Sequence, residues 1–121
     1  MPQIVDKNKL MTQTNERRYE IQVDPDDPEQ VMEIWVRGMS FFDVQKAAQE
    51  MFIVTKGDVT LDLQAYWRYA FSNWVTRTNP QLSPDELLNL SAYVGEQISA
   101  VLPNPDEIAQ MMQWGFTKAN N

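Results

Sequence analysis

Asp62-Leu-Gln-Ala-Tyr-Trp-Arg-Tyr-Ala-Phe-Ser-Asn-Trp-Val-Thr-Arg77 is the stretch on which the fold turns. Leu63, Tyr66, Trp67, Tyr69, Ala70, Phe71, Trp74 and Val75 wrap most of a helical circumference. Gln64, Arg68, Ser72 and Thr76 recur every four residues and leave one narrow polar stripe. A helix that is apolar on nearly all sides sits in the middle of its domain. The spacing therefore predicts a helix over 62–77 as the hub of the core, with the polar stripe as its edge toward water.

Downstream, two helix starts announce themselves. Ser83-Pro84-Asp85-Glu86 puts Ser at the N-cap, Pro at the first helical position and Glu two residues further on, and Asn104-Pro105-Asp106-Glu107 repeats the arrangement. The cap side chain accepts a bond from an otherwise unpaired N–H, Pro has no N–H to orphan, and the acids meet the positive end of the helix dipole. Each cap is worth about 1 kcal/mol. The first start predicts a helix over 84–102, with Leu87, Leu90, Val94, Ile98 and Val101 on one face, ended by Pro103. Gly95 inside it is a cost that close approach of another helix would explain. The second start predicts a helix over 105–114 carrying Ile108, Met111 and Met112, with Gly115 as its stop.

Upstream, Tyr19, Ile21 and Val23 alternate with polar neighbours, and Met32, Ile34 and Val36 alternate with Val31, Glu33, Trp35 and Arg37. Both are period-two strand patterns. Between them, Asp24-Pro25-Asp26-Asp27-Pro28-Glu29-Gln30 predicts an acidic loop longer than a two-residue turn. The two strands form a hairpin over 18–37. Gly38 breaks the second strand, and Ser40 with Asp43 opens a helix over 40–53 whose buried face is Phe41, Val44, Ala48, Met51 and Phe52. Lys56-Gly57-Asp58 punctuates the chain, and Val59 to Leu63 is too short a run to assign as a strand. Residues 1–16 lack periodicity and read as a flexible arm, and 118–121 as a flexible tail. The sequence thus predicts one mainly α (α+β) domain over 17–117, an N-terminal β-hairpin packed on about four helices.

Composition narrows the function. The chain of 121 residues has no Cys and no His, which removes thiolate nucleophiles, His general bases, Cys/His zinc sites and disulfides together. The four glycines are far apart and form no phosphate-cradling loop. The acids of the 24–29 loop do not follow the offsets of a calcium loop, and Asp85-Glu86 and Asp106-Glu107 are explained by capping. The residues point to no enzyme, no metal and no cofactor. A net charge of −7 disfavours nucleic acid and anionic membrane surfaces as partners. The charge is uneven: residues 1–18 balance to +2 and residues 19–62 to −7. A basic arm before an acidic module either docks on a neighbouring copy or stays solvated. No apolar run approaches the length of a membrane span and the N-terminus has no apolar leader region, which leaves a cytoplasmic protein by default.

The aromatic and Met residues carry the binding expectation. Trp35 beside Arg37 has the composition of an interface anchor, or else Trp35 packs beneath the domain's own helices. Met111, Met112 and Trp114 form a Met-rich terminal stripe that either adapts to a partner or closes the core. Trp35, Arg37, Met111, Met112 and Trp114 are therefore the candidate protein-binding residues.

Met32-Glu-Ile-Trp-Val-Arg-Gly-Met-Ser-Phe-Phe-Asp-Val-Gln-Lys-Ala-Ala-Gln-Glu-Met-Phe52 resembles the strand-then-helix opening of small tail assembly chaperones of tailed bacteriophages. Ala65 to Thr78, the Leu82-Ser-Pro-Asp-Glu-Leu-Leu88 cap and Tyr93 to Pro103 resemble small proteins of the tail gene neighbourhood in marine myophages. The likeness covers residues 19–110. It implies a small, acidic, mainly helical, non-enzymatic chaperone that coats the hydrophobic tape measure protein in the host cytoplasm, self-associates and is absent from the finished particle. The same features fit a structural tail or baseplate subunit kept in the virion, or an unrelated small acidic adaptor.

Overall fold

The two period-two segments pair as expected, and their inner faces hold the core. In the computed structural model, which describes residues 1–13 and 15–108, β1 (Glu16–Asp24) and β2 (Asp27–Arg37) run antiparallel with Tyr19 opposite Ile34 and Ile21 opposite Met32. Ile21, Met32, Ile34 and Val36 are buried on one face. The link is Pro25-Asp26 alone, so the long acidic loop expected at 24–30 is a two-residue turn. No residue there has a positive φ, so the turn is not of the primed type that matches strand twist. The register shifts between Gln22 and Asp24 beside this turn, and Pro28 has no assigned partner in the ladder.

The helix expected at 40–53 is α1 (Phe41–Met51), and it ends two residues early because the chain turns into a strand. β3 (Phe52–Thr55) and β4 (Asp58–Leu61) form a second, separate hairpin; β3 takes the expected end of the helix, and β4 falls largely in the run from Val59 that was not assigned as a strand. Ile53, Val54, Thr55, Val59 and Thr60 are β-branched, which favours extended backbone. Lys56 and Gly57 at φ 51° and 86° supply the two positive values of a primed hairpin turn. The helix expected at 62–77 is α2 (Leu63–Asn73), capped by Asp62, after which β5 (Val75–Asn79) returns as the third strand of the first sheet in the order β1-β2-β5. The helix expected at 84–102 is two: α3 (Pro84–Leu88) and α4 (Ala92–Ser99), the latter capped by Ser91. A further helix opens at 105, and the rest of the stretch expected to run to 114 lies outside the described residues.

These additions overturn the expected mainly α fold. The domain is α+β, with 39% of the described residues helical and 31% in strands, and its strands form two sheets. α2 does supply the centre of the core: Tyr66, Ala70 and Trp74 are fully buried with Ile34, Met51 and Ile98. Tyr66 and Trp74 meet edge to face at 6.0 Å, and Tyr69 and Trp74 likewise. The Tyr66 hydroxyl donates to the Pro103 carbonyl, and burial pushes its phenol well above the usual range. Gln64, Arg68, Ser72 and Thr76 are exposed, while Leu63, Trp67 and Phe71 remain half-buried or exposed along another side of the helix. No helix among the described residues is long and apolar enough to cross a membrane.

Two glycines behave oppositely. A Cβ on Gly38 would lie 1.8 Å from the Gln13 carbonyl oxygen, so this residue lets the arm cross the end of β2. Among the described residues nothing lies within 4 Å of a Cβ placed on Gly95, so no approaching helix there accounts for it. Gly95→Ala is therefore expected to raise stability by about 0.5–1 kcal/mol in urea unfolding. Gly38→Ala is expected to displace the arm, read as faster proteolytic cleavage within residues 1–13.

Candidate protein-binding surface

Trp35 and Arg37 were expected on one face of the N-terminal hairpin, which β5 extends to a three-stranded sheet. Both lie there, but each is engaged by the protein itself. Register places Arg18 and Arg77 on either side of Trp35. The Arg77 guanidinium lies 3.9 Å above the Trp35 ring and reaches Glu16 on the far strand, with Nε 3.4 Å from the carboxylate. Arg18 pairs with Glu33 and with Glu20, and Asn79 donates to Glu33 at 2.9 Å. These bonds, Arg18 first, hold the Glu33 carboxyl below the usual carboxylate range, and Glu33 in turn raises Arg18. Trp35 is thus half-buried under a charged lattice of its own sheet rather than beneath a helix.

Arg37 turns its head toward the helices. Its Nε donates to the Asn73 carbonyl at 2.7 Å, and Nη1 donates to the Gly38 carbonyl and to Asp43 at 3.2 Å. Asp43 also accepts from the Ser40 N–H while the Ser40 hydroxyl accepts from the Asp43 N–H, which completes the capping box of α1. The Ser40 backbone bond, chiefly, and Arg37 hold the Asp43 carboxyl below its usual range. Met111, Met112 and Trp114 lie outside the described residues, so the expected five-residue site is not brought together.

Among the described residues no three acidic side chains are placed to hold a metal ion. In the acidic turn, Asp24 accepts from the Asp26 N–H and Asp27 from the Glu29 N–H, so these carboxylates serve their own backbone.

The surface that sequence reading missed is the β3–β4 hairpin. Phe52 pairs with Leu61 and Val54 with Val59, so four apolar side chains share one face. Phe52 packs on the core, but Val54 is 70% exposed and Val59 58%. Leu61 and Leu63 at its base are also exposed, and a groove lined by Leu63, Trp67, Leu102, Pro103 and Pro105 continues beside them. At the other end of α1, Phe41 and Phe42 are exposed, against the expectation that Phe41 belongs to the core. Its position in the first turn puts it beyond the residues that α1 buries, which are Ala47, Ala48 and Met51. The signal available in sequence was the pair of β-branched runs flanking Lys56-Gly57.

The edges of the two sheets are treated differently. Gln97 of α4 donates to the Gln22 carbonyl at 2.7 Å and accepts from the Gln22 N–H at 3.1 Å, so a side chain occupies the outer edge of β1 as a further strand would. No described residue does this for β3 or β4. A hydrogen-bonding edge beside an apolar face is a template for another chain.

Two outcomes follow from this geometry. Arg77→Ala is expected to uncover Trp35, seen as a red shift and stronger quenching of tryptophan emission, whereas Trp35 packed under a helix would not respond. The depressed Asp43 contributes stability that is present above its unfolded pKa of about 3.9 and is lost as pH falls through its lower folded value. Asp43→Asn is therefore expected to flatten the acid limb of the stability profile below about pH 4, measured by urea unfolding across pH. Comparison with family models, with curated proteins and with solved structures finds no match for this chain.

Proposed function

We propose that this chain is a non-enzymatic assembly chaperone that holds an apolar helical client, such as the tape measure protein of a phage tail, until the client is enclosed. One observation carries the reading: the β3–β4 hairpin carries an exposed apolar face, Val54, Val59 and Leu61, on paired strands. Exposed apolar patches rimmed by polar groups mark surfaces that bind other chains. The neighbouring groove adds apolar lining from Leu63, Trp67, Leu102 and Pro103, rimmed by Ser99, Asn104, Asp106 and Glu107. The net charge of −7 keeps such a surface from associating indiscriminately.

A structural tail subunit retained in the particle is the second reading. It is favoured by the N-terminal arm, which crosses the end of β2 at Gly38 and leaves Ile4, Val5, Leu10 and Met11 exposed. Arms of this kind join neighbouring subunits.

Co-expression with the tape measure protein of the same phage tests the first reading. The expected result is soluble client, with Val54→Lys/Val59→Lys lowering the yield about tenfold, equivalent to 1.4 kcal/mol of lost binding. Insoluble client with and without the chain refutes it. Mass spectrometry of purified virions separates the readings: the chaperone is absent from the particle and the structural subunit is present.

A further inference from the structure

We propose that, in the client-free protein, the β3–β4 hairpin is covered by the N-terminal arm of a second copy of this chain, laid along the outer edge of β4. The inference deepens the proposed function, since it assigns an occupant to the same surface when no client is bound.

The hairpin and the arm are two incomplete structures on one chain. The hairpin is two short strands with an exposed apolar face, and a lone two-stranded hairpin is marginal in water. The arm is extended around Pro2–Asp6 before a 3₁₀ turn at Lys7–Lys9. Its Ile4 is fully exposed, and Leu10 is 72% exposed. Within the single chain the arm covers neither itself nor the hairpin. Seating Gln3-Ile4-Val5 on the β4 edge pairs backbone groups of both segments and puts Ile4 or Val5 against the apolar face. Pro2 falls at the end of the added strand, where a missing N–H is tolerated.

Charge selects the edge. β4 is bracketed by Asp58 and Asp62, while β3 is bracketed by Glu50 and Lys56. The arm carries Lys7 and Lys9 against Asp6. A basic segment is therefore drawn to β4 over β3. Seven residues, 6–12, link the paired segment to the Gly38 crossing at Gln13, a reach of about 23 Å when drawn out with the Lys7–Lys9 turn opened.

The test is association in solution, measured by light scattering and sedimentation of the full chain over a range of concentrations. The full chain is expected to form concentration-dependent oligomers. Ile4→Asp/Val5→Asp and Val54→Lys/Val59→Lys, each in the full chain and each with an unchanged circular dichroism spectrum, are expected to be monomeric at concentrations at least tenfold higher. Mixing the two variants is expected to restore a complex, because one supplies an intact hairpin and the other an intact arm. A full chain that stays monomeric throughout, variants that associate like the parent, or a mixture that fails to complement would each overturn the proposal. So would a monomer whose β4 amides lose exchange protection in the arm variant, because that places the arm on its own hairpin. The arm variant keeps the client surface. If it still solubilises the tape measure protein while the parent proves monomeric, only this inference fails.

Discussion

Arg37 and Trp74 meet at the point where the rest of the structure is decided. The Arg37 N–H donates to the Trp74 carbonyl at 3.0 Å, at the residue where α2 ends and β5 begins. That bond brings the returning strand beside β2. The Arg37 side chain then binds the Asn73 and Gly38 carbonyls and Asp43, so one residue ties the end of β2, the end of α2 and the cap of α1. The Trp74 ring drops into the core beneath this knot, fully buried against Tyr66 and Tyr69. With α2 fixed at that end, its fully buried side is set as Tyr66, Ala70 and Trp74, and Trp67, Tyr69 and Phe71 pack half-buried at the margin of the core.

The β3–β4 insertion follows from the same constraint. α1 and α2 pack on each other, so the chain between Met51 and Asp62 must leave and return at nearly one point. The Asp62 N–H donates to the Met51 carbonyl at 2.7 Å and closes that base. Ten residues between two neighbouring backbone positions, with a positive-φ pair at their middle, have a hairpin as their natural path. Its root at Phe52 packs on the core, while Val54 and Val59 toward its tip remain exposed among the described residues.

The sequence made the central elements legible where a single pattern acted alone. Alternation at Tyr19–Val23 and Met32–Val36 gave both strands and their buried face, and Ser40, Ser83 and Pro84 gave helix starts. It misled where two patterns overlapped. Phe52 continues the apolar spacing of α1, and Val75 continues that of α2, so β3 and β5 were read as helix ends although β-branched runs begin at both places. Ser91 is a cap hidden inside a plausible helical face, and only tertiary packing separates α3 from α4. Trp35 beside Arg37 was read as an interface anchor or a ring beneath the helices, and the Arg that covers the ring is Arg77, on a strand of which the first residues were expected to be helix. The β3–β4 surface was missed for the same reason.

The contrast between the two sheets bears on how a partner is held. The first sheet is built into the core, and on its β1 edge Gln97 takes the outward N–H and C=O of Gln22, so a chain added there would have to displace it. The second owes its order to eight residues, one turn and one closing bond. Part of any binding energy at the hairpin is therefore spent on ordering it, and only the surplus appears as affinity. A surface that is apolar enough to attract a chain and loose enough to tax its own binding gives reversible capture. Under the proposed chaperone reading that is the useful regime, since a client held by a rigid, preformed sheet would resist release when the structure that encloses it assembles.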